Sequence, residues 1–370
     1  MVNPLENFLN FSSLAFWQKR NQSVVGLDIG ASSVKVVQLR KEKGKVILET
    51  YGEISTGPYR GLSVGQAATL PIDKTSELLR DLFTEANVST NLGSMAIPLS
   101  SSLLLIIEIP RVSENMLAKV IPLEARKYIP VPISEVALDW WVIPSQDINP
   151  QTNNQEKLEA LVVAIHNTII NQYQELARMV SINPAFFEIE TFSALRSVFG
   201  GEMTPTAILD VGAGSTKMVV VDYGIVRLSH TIPKGSQDIT MAISRSLGLD
   251  FAKAEEIKRK VGLVEQFDGQ DISTTISSLV EFIFTEANKV IADYQQKHHR
   301  AVQKIMFIGG GALLRGLIEV AGKNFEMPVE LGRPFSKVEA PAFLEEVLNE
   351  AGPGFAVAIG LALRHLQSLD

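Results

Sequence analysis

Two stretches far apart in the chain are copies of one another, and whatever one becomes the other must also become. Residues 26–39 read Gly-Leu-Asp-Ile-Gly-Ala-Ser-Ser-Val-Lys-Val-Val-Gln-Leu and residues 208–221 read Ile-Leu-Asp-Val-Gly-Ala-Gly-Ser-Thr-Lys-Met-Val-Val-Val, aligned without a gap. In each, a short apolar strand ends in Asp-x-Gly-Ala and a Val-rich strand resumes at once, the pattern of a β-hairpin. Glycine at Gly30, Gly212 and Gly214 lets a turn take positive φ and aim consecutive N–H groups at one point, which makes an anion site. Ala31 sits in the first turn, and Ser32, Ser33, Ser215 and Thr216 add hydroxyl donors. Two such turns brought face to face hold a polyphosphate between them. Asp28 and Asp210, at the ends of apolar strands, need a hydrated cation to face, and magnesium fits. A single Asp-x-Gly is as readily a plain tight turn; the duplication is what favours the site.

Composition narrows the chemistry. The 370 residues are 46% hydrophobic and 20% charged, with a net charge of -7, so the chain has room for two lobes with a real core and lacks the basic balance of a nucleic-acid binder. No cysteine is present, which excludes disulfides, thiolate metal sites and cysteine nucleophiles. His298 and His299 follow a helix among Gln, Lys and Arg and read as solvated. The uncharged stretch from Ala86 to Ile107 is broken by polar residues, Gly and Pro, unlike a membrane span. These features predict a cytoplasmic protein.

Along the chain, the aromatic leader before Lys19 and Arg20 is no secretory signal, because the charges follow the apolar part. It is either a docking helix or a loosely held terminus. After the first hairpin the spacing predicts a helix from Lys74 to Ala86, strands at 94–98 and 103–109, and a helix from Ser113 that Pro122 ends or kinks. Strands at 136–142 and 158–165 enclose a polar loop from Ser145 to Gln155, and a helix at 168–180 completes an inserted subdomain. In the second half, Gly235 opens a helix and Asp250 caps the next, which places Glu255, Lys258 and Arg259 on one face. A long amphipathic helix covers about 272–297. The buried strand 304–308 then runs into Gly309-Gly310-Gly311-Ala312 and a helix from Leu313, a third turn where a flat ring or phosphate can meet bare backbone.

An Asp-x-Gly hairpin, a second one, and a strand-Gly-Gly-Gly-helix in that order resemble the superfamily of actin, sugar kinases and heat-shock chaperones. The resemblance implies an α/β fold of two actin-like lobes, duplicated ribonuclease H-like domains, with an α+β subdomain inserted in the first lobe. The expected division is a leader at 1–22, a first lobe at 23–200 with its insertion at about 94–182, and a second lobe at 201–370 with a nucleotide-side helical part at about 235–300. It also implies ATP and Mg2+ as ligands. The hairpins would grip phosphates with Lys35 nearby, Glu255, Lys258 and Arg259 would contact ribose and adenine, and Gly309, Gly310, Gly311 and Ala312 would meet the adenosine. Asp28 and Asp210 would face the metal. Glu190, where relatives carry a water-positioning residue, and Asp210 would be the catalytic acids, with slow or negligible turnover.

Within that superfamily, Leu123-Glu124-Ala125-Arg126-Lys127-Tyr128-Ile129-Pro130-Val131-Pro132, the segment Glu135 to Trp140, Lys234-Gly235 and Gly360-Leu361-Ala362-Leu363-Arg364 are similar to the PilM family of type IV pilus assembly proteins. The similarity implies a scaffold at the inner face of the plasma membrane. It would bind the N-terminal tail of PilN in a groove between first lobe and insertion, link other inner-membrane and motor components, and bind no nucleic acid. Pro122 and the longer leader depart from the family pattern. An FtsA-like filament former and a small-molecule kinase are the alternatives; the first would need a C-terminal amphipathic tether and the second a sugar-binding motif, and the sequence offers neither.

Overall fold

The computed structural model describes residues 22–144, 157–264 and 272–369. All but the last residue of the leader, and the whole of the polar loop expected at Ser145 to Gln155, lie outside the described residues. In chain order the elements are β1 (Ser23–Ile29), β2 (Ser33–Glu42), β3 (Lys45–Ser55), α1 (Ile72–Glu85), β4 (Leu92–Ile97), β5 (Ser102–Pro110), α2 (Glu114–Ala125), β6 (Val136–Ile143), β7 (Lys157–His166), α3 (Asn167–Met179), β8 (Asn183–Ile189) and α4 (Glu190–Val198). They continue with β9 (Thr206–Val211), β10 (Thr216–Asp222), β11 (Ile225–Ile232), α5 (Ser236–Leu247), α6 (Phe251–Val261), α7 (Ser273–His298), β12 (Lys304–Ile308), α8 (Leu317–Asn324), β13 (Val329–Leu331), α9 (Glu345–Ala351) and α10 (Ala356–Ser368).

Two five-stranded sheets have the same build: β3-β2-β1-β4-β8 in the first and β11-β10-β9-β12-β13 in the second. The repeated hairpins form corresponding parts of the two sheets, and each is antiparallel through its outer strand and parallel to the next strand inward. The outer turns match as well. Lys43-Gly44 and Tyr223-Gly224 both hold two consecutive positive φ angles, 52° and 81° in the first and 53° and 75° in the second, as a two-residue hairpin requires. The chain is thus a duplicated α/β protein of two actin-like lobes.

Strand alternation decides what each sheet face meets. On the first sheet, Val25, Leu27, Val34, Val36, Met95 and Ile97 face α1 and α3, whereas Val24, Val37, Leu39 and Leu48 lie against Phe355, Ala358, Ile359 and Ala362 of the C-terminal segment. On the second, Leu209, Met218, Val220 and Phe307 join the α5, α6 and α7 core, while Ile208, Val219, Val221 and Ile308 share a core with the first lobe. Residues 334–369, which chain order assigns to the second lobe, therefore pack on the first. The reason is Gly360, where a Cβ would stand 1.7 Å from the Ser193 carbonyl oxygen, so α10 can lie directly on the backbone of α4.

The insertion is smaller than the span expected at about 94–182. β4 pairs in parallel with β1 and β8, and α3 packs under the first sheet, which leaves β5, α2, β6 and β7 as a separate three-stranded sheet of order β5-β7-β6. One face of that sheet carries Ile107, Ile109, Ala160, Val162 and Ala164 beneath Ile121 and Ala125 of α2. Its other face, with Leu161, Val163 and Ile165, joins the core shared by both lobes. Pro122 does not end α2, which runs on to Ala125. Proline removes one N–H bond and crowds the preceding turn; the bond lost here is the one to the carbonyl of Ala118, an exposed residue with access to water.

Candidate functional site

Both Asp-x-Gly turns line one cavity of about 950 Å³ between the lobes, so the pincer arrangement expected from the repeat is present. In the first turn the Gly30 N–H donates to the Ser33 carbonyl at 3.1 Å, and in the second the Gly212 N–H donates to Ser215 at 3.0 Å. Neither glycine has positive φ, contrary to expectation. Glycine is needed there because a Cβ would meet the same carbonyls at 2.8 and 2.9 Å. Each turn is braced from behind. Thr56 and Ala68 donate N–H groups to Ser32 and Ala31, and Ser236 and Gln237, opening α5, donate theirs to Gly212 and Ala213.

Strand register then sets a charged pair behind each turn, Asp28 across from Lys35 and Asp210 across from Lys217. Lys35 bonds the Ser33 hydroxyl at 2.6 Å and pairs with Glu53 at 3.1 Å. Lys217 reaches Glu190 at 2.8 Å and Asp210 at 3.9 Å. Burial acts to lower the Lys217 pKa, but Asp210, Glu190 and Asp28 together hold its ammonium above the ordinary value. Asp28 is the perturbed acid. Burial pushes its carboxyl up to about 7, Lys35 and Lys217 oppose the shift, and the carboxylates of Glu190 and Asp210 reinforce it.

The remaining expected residues divide. Gly30, Ala31, Ser32, Ser33, Lys35, Glu190, Asp210, Gly212, Gly214, Ser215, Glu255, Lys258, Arg259, Gly309, Gly310 and Gly311 all line the cavity. The Ser32 and Ser215 hydroxyls make no hydrogen bond to protein among the described residues, which leaves them available to a ligand. Thr216 is turned away: it is fully buried and its hydroxyl donates to the Lys234 carbonyl at 2.9 Å. Gly235 caps α5 behind the second turn, and Ala312 is buried in the second-lobe core; neither lines the cavity.

On α6, Glu255 pairs with Lys258 at 2.7 Å and Arg259 at 2.8 Å and accepts the Thr240 hydroxyl at 2.6 Å. Burial raises the Glu255 carboxyl, but Lys258 and these other partners more than offset it and hold it below the ordinary value. The Ala67 N–H of the first lobe donates to the side-chain oxygen of Gln237 on α5 at 2.7 Å.

The third glycine turn differs from its sequence reading. Gly309 stands at φ 84° and ψ 163°, backbone that essentially only glycine adopts, and a Cβ there would lie 2.3 Å from Asp210 Oδ1. Residues 310–313 then form a short 3-10 turn, and the helix begins only at Leu317. No α-helix N-terminus therefore points into the site from this turn. Its backbone is held instead by Pro353, whose carbonyl accepts the Gly309 N–H at 2.8 Å.

Glu190 is no surface acid. It is buried as the first residue of α4, and besides Lys217 it accepts the Leu99 N–H at 2.6 Å. Sequence reasoning missed a second group of lining residues: Ile72 and Thr75 of α1, Ser100 and Ser101 at the entry to the insertion, and Gln172, Tyr173 and Glu175 of α3. They are separated along the chain and share no motif. Pro353 and Gly354 were also missed, although Gly-Pro-Gly before an apolar helix is a visible turn signal.

The type IV pilus assembly protein PilM family model matches residues 26–366. The chain belongs to that family. Cell division protein FtsA of Helicobacter pylori is 25% identical over 242 residues, which span 58% of this chain but only 45% of that protein. FtsA of Neisseria meningitidis serogroup B is 24% identical over 93% of this chain and 90% of its own length. Among solved structures, a chain of the "PilM-PilN type IV pilus biogenesis complex" superposes with a TM-score of 0.78 at 26% identity, covering 93% of this chain and 98% of that one. MreB5 of Spiroplasma citri bound to AMPPNP matches in fold, with a TM-score of 0.53 at 13% identity. The PilM family membership and the actin-like fold thus rest on independent comparisons.

A metal has to be fitted to the acids that are here. Among the described residues no three acidic or imidazole side chains converge closely enough to hold an ion by themselves. That suits Mg2+, which keeps several waters and takes one or two carboxylates together with substrate phosphates. Asp28 and Asp210 both line the cavity, and a carboxyl left partly protonated by burial is one a cation would ionise.

Proposed function

We propose that this PilM-family protein is an ATP-binding scaffold of type IV pilus assembly, acting at the inner face of the plasma membrane by holding the N-terminal cytoplasmic tail of PilN. The observation that carries the nucleotide part is the pair of matching turns on one cavity, each with a free hydroxyl, Ser32 or Ser215, and an aspartate behind it. Glu255, Lys258 and Arg259 form the polar wall suited to ribose and base, and Gly309, Gly310 and Gly311 offer bare backbone. Mg2+ would be held from Asp28 and Asp210 and would neutralise phosphate charge. The nucleotide acts as a lobe-closing ligand, with differential affinity for open and closed forms.

The partner part is supported by the likeness to a chain of the PilM-PilN complex. It is supported too by Ser100, Ser101, Gln172, Tyr173 and Glu175, which line the cavity and whose side chains make no hydrogen bond to protein among the described residues. Uncommitted polar groups on a cavity wall suit an extended peptide. The FtsA-like reading keeps the same fold, and the match of the PilM family model over residues 26–366 favours the pilus reading over it.

Equilibrium binding of ATP with and without Mg2+, in wild type and Asp210→Ala, tests the first part. The wild type should gain affinity with the metal, and the variant should lose most of that gain; equal behaviour would remove the metal role of Asp210. A synthetic PilN tail peptide tests the second, and failure to bind the pure protein in either nucleotide state would defeat it.

A further inference from the structure

Three parts of the molecule meet at one buried carboxylate. Glu190 opens α4, the helix that follows β8 of the first sheet and leads on to the second lobe, and its Oε1 accepts the main-chain N–H of Leu99 at 2.6 Å. Its Oε2 accepts the ammonium of Lys217, from β10 of the second lobe, at 2.8 Å. Leu99 heads the short turn of residues 99–101 that joins β4 of the first sheet to β5 of the inserted sheet. The next two residues of that turn, Ser100 and Ser101, line the cavity. The carboxylate is thus tied at once to the entrance of the insertion and to the strand behind the second phosphate turn.

We propose that Glu190 is the node through which the nucleotide cleft and the insertion sense each other, so that nucleotide and partner peptide strengthen each other's binding. The inference rests on the function proposed above and names the regulation of that site. Lys217 stands directly behind the Gly212 turn, within 3.9 Å of Asp210. A polyphosphate in that turn competes with Glu190 for the ammonium, because both are anionic acceptors of the same donor. Once the ammonium turns toward phosphate, Glu190 loses one of its two anchors and the 99–101 turn is released from a fixed carboxylate. A peptide seated against Ser100 and Ser101 favours that released turn. Each ligand then biases the same two-state element, and linkage requires the effect to be reciprocal.

The test measures both affinities on the full chain, using Mg2+ with a non-hydrolysable ATP analogue and a synthetic peptide of the PilN N-terminal tail. In wild type each ligand should tighten the other by the same factor, about fivefold or more, the lower edge of ordinary allosteric coupling. In Lys217→Gln and Glu190→Gln that factor, taken as the ratio of each affinity with and without the other ligand whatever the affinity alone, should fall to about one, whereas Lys217→Arg, which keeps the ion pair, should retain it. Independent binding in wild type, or full coupling in both glutamine variants, overturns the proposal.

Amide hydrogen exchange at Leu99 reads the node without any ligand. Faster exchange in Lys217→Gln than in wild type supports it, and identical rates overturn it whatever binds. Failure of the peptide to bind wild type defeats the partner reading and the mutual tightening with it. If the exchange difference is nonetheless present, the link from Lys217 to the insertion stands apart from that partner.

Discussion

At the scale of single residues, Asp28 carries the most information. Its carboxyl titrates near 7 in the folded protein against an ordinary value of 3.8, so the native state holds an extra proton between those two pH values. The stability contributed by this group therefore falls as pH rises through that window, and the full penalty is present above it. A cation placed beside Asp28 reverses the preference and expels the proton. Binding of Mg2+ with ATP should release a fraction of a proton from this group at pH 7 and a larger fraction at pH 6. Calorimetry in buffers of different ionisation enthalpy measures the release, and Asp28→Asn should remove that part of it. A variant releasing as much as wild type would show that another group titrates.

Residue-level reading placed a side chain on the cavity where its direction follows from its strand position and misplaced it where its surroundings depend on neighbours far along the chain. Asp28, Asp210, Ser32 and Ser215 were legible because hairpin geometry aims them at one point. Thr216 was misread because its hydroxyl is taken by Lys234, a partner that hairpin spacing cannot reveal. The buried state of Glu190 depends on Leu99 and Lys217, on either side of it in sequence, so no local pattern records it.

Among elements, most helices and strands lie within a residue or two of where periodicity puts them, because amphipathic spacing is a local property. The glycine turn at 309–311 is the exception, since apolar residues after it read as helix while the chain needs a 3-10 turn to pass behind Asp210. α10 shows a second limit: its sequence announces a buried helix but not which lobe buries it. Helix propensity alone would make Gly360→Ala stabilising by about 1 kcal/mol. The added Cβ would lie 1.7 Å from the Ser193 carbonyl oxygen, and overpacking of this kind costs roughly 1–3 kcal/mol. The clash should win, so urea unfolding should show a net loss of stability; a gain would mean that α10 and α4 do not touch as described.

For the whole molecule, the insertion is the part that decides how freely the lobes move. Its central strand supplies Glu159, which pairs with Arg227 on β11 of the second lobe at 3.0 Å, with the arginine side chain only 5% exposed. The inserted sheet also shares its inner face with the core that joins the lobes. A double-mutant cycle on Arg227→Ala and Glu159→Ala should therefore return a coupling of about 1–2 kcal/mol, well above the few tenths expected of a solvated surface pair. Additive effects would show that the insertion merely rests against the second lobe. The sequence revealed two lobes and an insertion, through the repeat and the interval between its copies. It could not reveal this three-way contact, which no single segment encodes.

The position of α10 also bears on how the protein is made. Strand β1 and the helix that covers one face of its sheet are translated more than three hundred residues apart, the strand first. Until then Val24, Val37 and Leu39 stay open to water or to a chaperone, while the second sheet and its helices α5 to α8 can already close on themselves. The lobe begun first is finished last, and a nascent chain halted just short of Ala356 would carry a folded second lobe beside an unsealed first one.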